Sequence, residues 1–123
     1  MRRRGGEGRD ERGAVTAELA LGLPVLLALT VVLVWMLSVG VAQVMVVDAS
    51  REAARMVARG DSPDHAEAAA ARIAPDGAAV TVRHDGDRVL VVTSAEVRAP
   101  GSVLGRLAAV TVTSEAVAVV EPE

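Results

Sequence analysis

The pattern of hydrophobic and polar positions divides the chain into an apolar amino-terminal part and a mixed carboxy-terminal part. From Leu19 to Val47 there are 29 successive residues without a charged side chain or a histidine. Because lipid cannot satisfy bare backbone polar groups, this run predicts a membrane-spanning helix. The run would reach roughly 43 Å as a helix, whereas the hydrocarbon core needs only about 30 Å. We expect the membrane segment to cover about residues 19–42, and the surplus, about Val39 to Val47, to pack against partner proteins.

The helical pattern begins before the apolar run and continues after it. Beyond Val47, small and apolar residues recur at helical spacing on one face, arginines occupy another, and Gly60 ends the pattern. The sequence therefore predicts one continuous helix over residues 14–59. Pro24 lies inside it, removes one backbone donor and is expected to kink the helix.

Residues 60–123 are predicted to form a small extracytoplasmic α+β domain. Ser62 and Pro63 are typical of a helix start, and the helix is expected to end before Pro75. Alternating valines and a tight turn at Asp85-Gly86 then predict a hairpin. A third strand is predicted over 110–120, after a loop or short helical turn over 102–107. Three antiparallel strands with one apolar face are expected to pack on the helices.

Composition excludes several classes of function. The chain has no Cys and only two His, so neither a thiolate nucleophile nor a typical metal site is expected, and no cofactor is predicted. A net charge of −3 and a single aromatic residue, Trp35, argue against nucleic-acid binding. No catalytic motif is present, so the sequence does not predict an enzyme.

The junction between the basic leader and the apolar run carries the clearest candidate site. Gly13 is followed at the fifth position by Glu18, directly before the uncharged segment. A carboxylate at a membrane entrance is costly unless it is solvated or paired. Cleavage between Gly13 and Ala14 would create an ammonium group one helical turn from Glu18, and the two charges would then neutralise each other. The carboxylate would equally be able to neutralise a neighbouring subunit and set the register between packed helices.

These residues resemble a known family. The stretch from Gly13 through Glu18 into the apolar helix resembles the class III signal of type IV pilins. The longer string Gly-Ala-Val-Thr-Ala-Glu-Leu-Ala-Leu-Gly-Leu-Pro-Val-Leu-Leu, with Ala-Ser-Arg-Glu-Ala-Ala-Arg after the run, resembles the TadE-like pilins of the tight-adherence (Flp) pilus system. The resemblance covers roughly residues 12–60. Many type IV pilins have Phe or Tyr after the processing site, and this chain has neither.

The resemblance implies a fold, a maturation step and a set of partners. The fold is type IV pilin-like, with a long helix before a small sheet. The leader, residues 1–13, is removed by a dedicated aspartyl prepilin peptidase. Glu18 registers the subunit against others, and the partners are membrane lipid, other pilins and the pilus assembly platform. The protein would be a minor pilin or pseudopilin that supports assembly of the pilus.

Charge predicts the orientation of the membrane segment. Five arginines precede the apolar run and three follow it closely. The positive-inside rule therefore places the amino terminus in the cytoplasm and the carboxy-terminal domain outside a bacterial cytoplasmic membrane. A lipid segment of about 20 residues from Leu19 would also put Trp35 near the outer interface, where tryptophan is favoured.

Other interpretations of the same sequence remain open. The chain would fit a plain single-pass anchor, with Glu18 as an uncleaved flank. It would also fit a single-pass membrane protein whose outer module binds a ligand or a secreted partner without forming a pilus. A third possibility is a secreted module cut near Ala42, before Gln43, although its apolar region of 24 residues exceeds the usual 7–15 of a signal peptide.

Overall fold

A computed structural model describes residues 7–120 of the chain. Helix α1 covers Glu7–Ala58, α2 covers Pro63–Ile73 and the short α3 covers Leu104–Leu107. Strands β1 (Ala79–Asp85), β2 (Arg88–Arg98) and β3 (Ala109–Val119) form one antiparallel sheet in the order β1-β2-β3. The predicted α+β class, with a long amino-terminal helix, a short helix and a three-stranded sheet, is confirmed.

Contacts divide the chain into two compact units between Val34 and Trp35. In the first unit, the side chains of residues 8–30 are all exposed along α1. The helix is long and apolar enough to cross a membrane, and only 6% of its most apolar window is buried. A core helix of a soluble protein would be mostly buried, so this exposed surface is typical of a helix that meets lipid or other proteins.

The core of the second unit lies between the sheet and the later part of α1. Its larger cluster joins Ala49, Ala53 and Val57 of α1 to Val89 and Val91 of β2, and alanines of α2 complete it. The inward-facing residues alternate along the strands as the sequence predicts. The expectation that the sheet packs on the helices is therefore confirmed.

Hydrogen bonds and one glycine explain how α2 begins, how β1 turns into β2 and how α2 contacts the edge of β1. The Ser62 side chain accepts a hydrogen bond from the His65 amide at 3.3 Å, which caps α2 as predicted. Gly86 adopts a φ of 62° in the predicted hairpin turn, a conformation that glycine adopts without strain. At the free edge of β1, the Val82 amide donates to Glu67 Oε1 of α2 at 3.2 Å. The helix thus satisfies one edge amide of the sheet.

A row of hydroxyl groups crosses the interface between α1 and the sheet. Ser50 and Ser114 share a hydrogen bond of 2.9 Å between their Oγ atoms. Thr93, the neighbour of Ser114 in the register, is fully buried, and its Oγ1 has no hydrogen-bond partner within residues 7–120. An unsatisfied buried hydroxyl lowers stability, because its desolvation is not compensated.

Replacing Thr93 with valine is therefore expected to stabilise the second unit. T93V keeps the branched shape and removes the unpaired oxygen, so the free energy of unfolding should rise by about 1 kcal/mol. Ser114→Ala is the matched control, since it breaks an existing hydrogen bond and should lower stability by a similar amount. Denaturant unfolding of the protein in detergent measures both changes. A lower unfolding midpoint for T93V would contradict the expectation.

Candidate amino-terminal processing and pairing site

The predicted site residues lie on one exposed stretch of α1. Gly13, Ala14 and Glu18 are all helical, and their four-residue spacing places Ala14 and Glu18 one turn apart on the same face. Thr16 Oγ1 donates to the Arg12 carbonyl at 2.9 Å, so the turn that contains the Gly13–Ala14 bond carries one side-chain hydrogen bond. The site is local, and no other element within the described residues contributes a group to it.

The structure gives no internal reason for a glycine at position 13. An added Cβ there would meet no atom within 4 Å, and Gly13 does not have a positive φ. Glycine in a helix interior nevertheless costs about 1 kcal/mol relative to alanine. Gly8, Gly22 and Gly40 of α1 likewise have no atom within 4 Å of an added Cβ. Gly13 differs from them in its position five residues before Glu18.

Glu18 is the last charged residue before the uncharged run, and it lies in an apolar surface. A shallow groove along α1 is lined by Val15, Glu18, Leu19, Gly22, Leu23 and Leu26. These positions follow the three- and four-residue spacing of one helix face. Within residues 7–120, no basic group lies within 4 Å of the Glu18 carboxylate. The face therefore presents one carboxylate and one glycine among large apolar side chains.

Helix α1 continues through Pro24 without a break. Proline has no amide hydrogen, so the Ala20 carbonyl loses its usual helical donor. The kink expected at this position stays a prediction.

The interpretation of residues 39–47 as a surface for partner proteins is wrong for one face of the helix. Ala42 and Val46 are buried against Ala95 and Val112 of the protein's own sheet, and Val39 packs on the same cluster. Only the opposite face remains outward: Val41 and Val44 are more than half exposed. With Gln43 as its only polar side chain, this stretch of helix does not reveal from its sequence which face its own sheet will cover.

Sequence reasoning also missed the apolar side chains of the connection between β2 and β3. Val103, Leu104 and Leu107 are all more than half exposed. The available signal was three large apolar residues within a segment otherwise predicted as a loop or a short helical turn. Elsewhere, among the described residues, no group of three or more His, Asp or Glu is placed to hold a metal ion.

The exposed apolar helix and the small α+β unit indicate a membrane-anchored protein. Comparison with protein families gives a match to the family described as TadE-like protein over residues 13–55. This match covers 43 of the 123 residues and confirms the resemblance to that family. Neither a curated protein nor a solved structure matches the chain.

Proposed function

We propose that the protein is a minor pilin or pseudopilin of a tight-adherence pilus, matured by a prepilin peptidase that cuts between Gly13 and Ala14. The observation that carries the proposal is the composition of the exposed start of α1. A glycine without a structural role is followed at the fifth position by a single carboxylate, and that carboxylate opens the uncharged surface. The family match over residues 13–55 begins at this glycine.

The proposed cleavage changes the charge balance of the site. Before cleavage, Glu18 has no cationic partner within the described residues. Cleavage releases residues 1–13 and leaves an ammonium group on Ala14, one helical turn away. In an apolar environment an ion pair is far stronger than in water, and an unpaired carboxylate is costly. Glu18 is then able to bind its own terminus or the terminus of a neighbouring subunit.

The proposed organisation of the mature protein follows from these steps. Residues 14–59 form the helix, with about residues 19–42 in the cytoplasmic membrane, and residues 60–123 form the extracytoplasmic domain. The packing of Ala42 and Val46 on the sheet supports a boundary near residue 42, because the sheet covers the helix from that point onward. The five arginines of the leader favour a cytoplasmic amino terminus.

The intact mass of the protein extracted from its host membrane tests the proposal. In cells with an active prepilin peptidase, the polypeptide is expected to begin at Ala14. Gly13→Leu should leave the full chain, because a bulky side chain prevents close approach to the backbone. A host without the peptidase provides the control. Recovery of a chain that begins at Met1 despite active peptidase would overturn the proposal, and a chain that begins at Gln43 would indicate a secreted module.

A further inference from the structure

The connection between β2 and β3 displays large apolar side chains in an ordered conformation. The exposed fractions are 68% for Val103, 53% for Leu104 and 78% for Leu107. Three such side chains within five residues form an exposed apolar cluster, which in a water-soluble surface would require a partner. We call residues 101–107 the apolar loop.

The backbone holds the apolar loop in place. The Ala99 amide donates to the Ala108 carbonyl at 3.0 Å, and the Ala108 amide donates to the Leu104 carbonyl at 2.9 Å. Gly101 has a φ of 90°, a backbone conformation that residues with a side chain rarely adopt. A Cβ at Gly105 would lie 2.9 Å from the Ala99 carbonyl oxygen, so only glycine allows α3 to approach β2 this closely. The leucines are therefore exposed by a defined loop structure.

The apolar loop lies at the end of the sheet where α1 enters the second unit. Val97, near the end of β2, packs on the cluster that contains Val39 and Ala42. At the same end, α1 exposes Met36 and Leu37. The loop and the first turns of α1 in this unit thus present apolar side chains at one end of the domain.

The charged residues within the stretch of sequence that contains the loop are basic. No Asp or Glu occurs from Val97 to Ser114, whereas this stretch contains Arg98 and Arg106. Arg98 is held by Glu96 at 2.7 Å. Within residues 7–120, Arg106 has no carboxylate within 4 Å. A segment with arginine beside exposed leucine binds favourably at a membrane surface. The leucines enter the boundary between headgroups and acyl chains, and the arginine is attracted to anionic headgroups.

We propose that the apolar loop inserts Leu104 and Leu107 into the headgroup region of the same bilayer that holds α1, with Arg106 at the level of the lipid phosphates. This inference rests on the membrane placement in the proposed function. It adds a second contact with the bilayer, and that contact fixes how the outer domain lies on the membrane surface. A water-facing outer domain tethered only by α1 would leave the leucines in solvent.

Fluorescence quenching by lipids tests the proposal on the full chain. The chain has no Cys, so a single thiol introduced as Leu107→Cys or Asp87→Cys carries a probe without competing labels. Leu107 belongs to the apolar loop, whereas Asp87 is exposed in the hairpin turn at the other end of the sheet. Trp35, the only tryptophan, reports the insertion of α1. Vesicles of mixed neutral and anionic lipids contain a nitroxide lipid as quencher.

We expect the Leu107 probe to be quenched at least about threefold more strongly than the Asp87 probe, with Trp35 quenched in both proteins. Adding Leu104→Ser to the Leu107→Cys protein should reduce the difference, and Val117→Ser, an equally exposed change on β3, should not. Quenching of Trp35 with equal, weak quenching of the two probes would overturn the loop proposal and leave the membrane helix intact. Absence of Trp35 quenching would overturn the membrane placement as well.

Discussion

A fragment that contains only residues 60–123 is expected to be unfolded in water. It would show no cooperative thermal transition and little protection of its backbone amides from hydrogen exchange. The expected loss is the whole stability of the domain, which for small domains is typically about 5–15 kcal/mol.

The reason is that α1 supplies much of the core. Seven of the fifteen buried apolar residues within the described chain belong to α1. Without them the inward face of the sheet, including Val89 and Val91, would be exposed to water. A domain of about 60 residues is marginal even with a complete core, and this one has no disulfide to compensate.

The matched fragment begins at Trp35, where the second compact unit begins. In mild detergent, which covers the exposed apolar side chains near its amino terminus, residues 35–123 are expected to unfold cooperatively. Circular dichroism and hydrogen exchange on both fragments measure the contrast. A sharp, high-temperature transition in the 60–123 fragment would show that the sheet does not depend on α1.

Much of the fold could be predicted because the signals are local. Ser62 and Pro63 mark the start of α2 through backbone capping, and Asp85-Gly86 marks a turn that requires a positive φ. Alternation of valines identifies the buried face of β2, since side chains alternate across a strand. Each of these elements depends on residues that are neighbours in the sequence.

The sequence did not predict which side of α1 is covered by the sheet. Around residues 39–47 Gln43 is the only polar side chain, so the pattern does not distinguish Ala42, which is buried, from Val41, which is exposed. The choice depends on contacts with β2 and β3, about 50 to 70 residues later in the chain. The exposure of Leu107 was missed for a similar reason, because loop conformation depends on the close approach of Gly105 to Ala99.

The candidate site could be located from sequence because it needs only one helix. The spacing of Gly13, Ala14 and Glu18 fixes their relation once α1 is helical. The structure adds that glycine has no packing role at position 13 and that Glu18 lies in an apolar groove. Cleavage itself depends on an enzyme outside this chain, so it remains a proposal.

Replacing Glu18 with alanine is expected to leave cleavage intact and to weaken association with other pilins. The Gly13–Ala14 bond and the residues around it are unchanged by E18A, so the mature chain should still begin at Ala14. The new ammonium group would, however, have no carboxylate partner at the membrane entrance. Leaving one member of a buried ion pair unpaired typically costs about 3–5 kcal/mol. Because the site is partly solvated, we expect a loss of at least about tenfold in association, which corresponds to about 1.4 kcal/mol.

Co-purification of the other pilins with the protein, quantified from detergent extracts of the host membrane, measures this effect. Glu11→Ala is the matched control, since Glu11 is an exposed acid on the same helix and lies in the proposed leader. Its loss should change neither the mature protein nor its association. If E18A retains its partners as well as E11A does, Glu18 does not register neighbouring subunits. The full chain should also lose little association on E18A when cleavage is blocked by Gly13→Leu, because the ammonium group that requires a partner is then never formed. This dependence of one substitution on the other separates pairing with the new terminus from a general effect of removing a carboxylate.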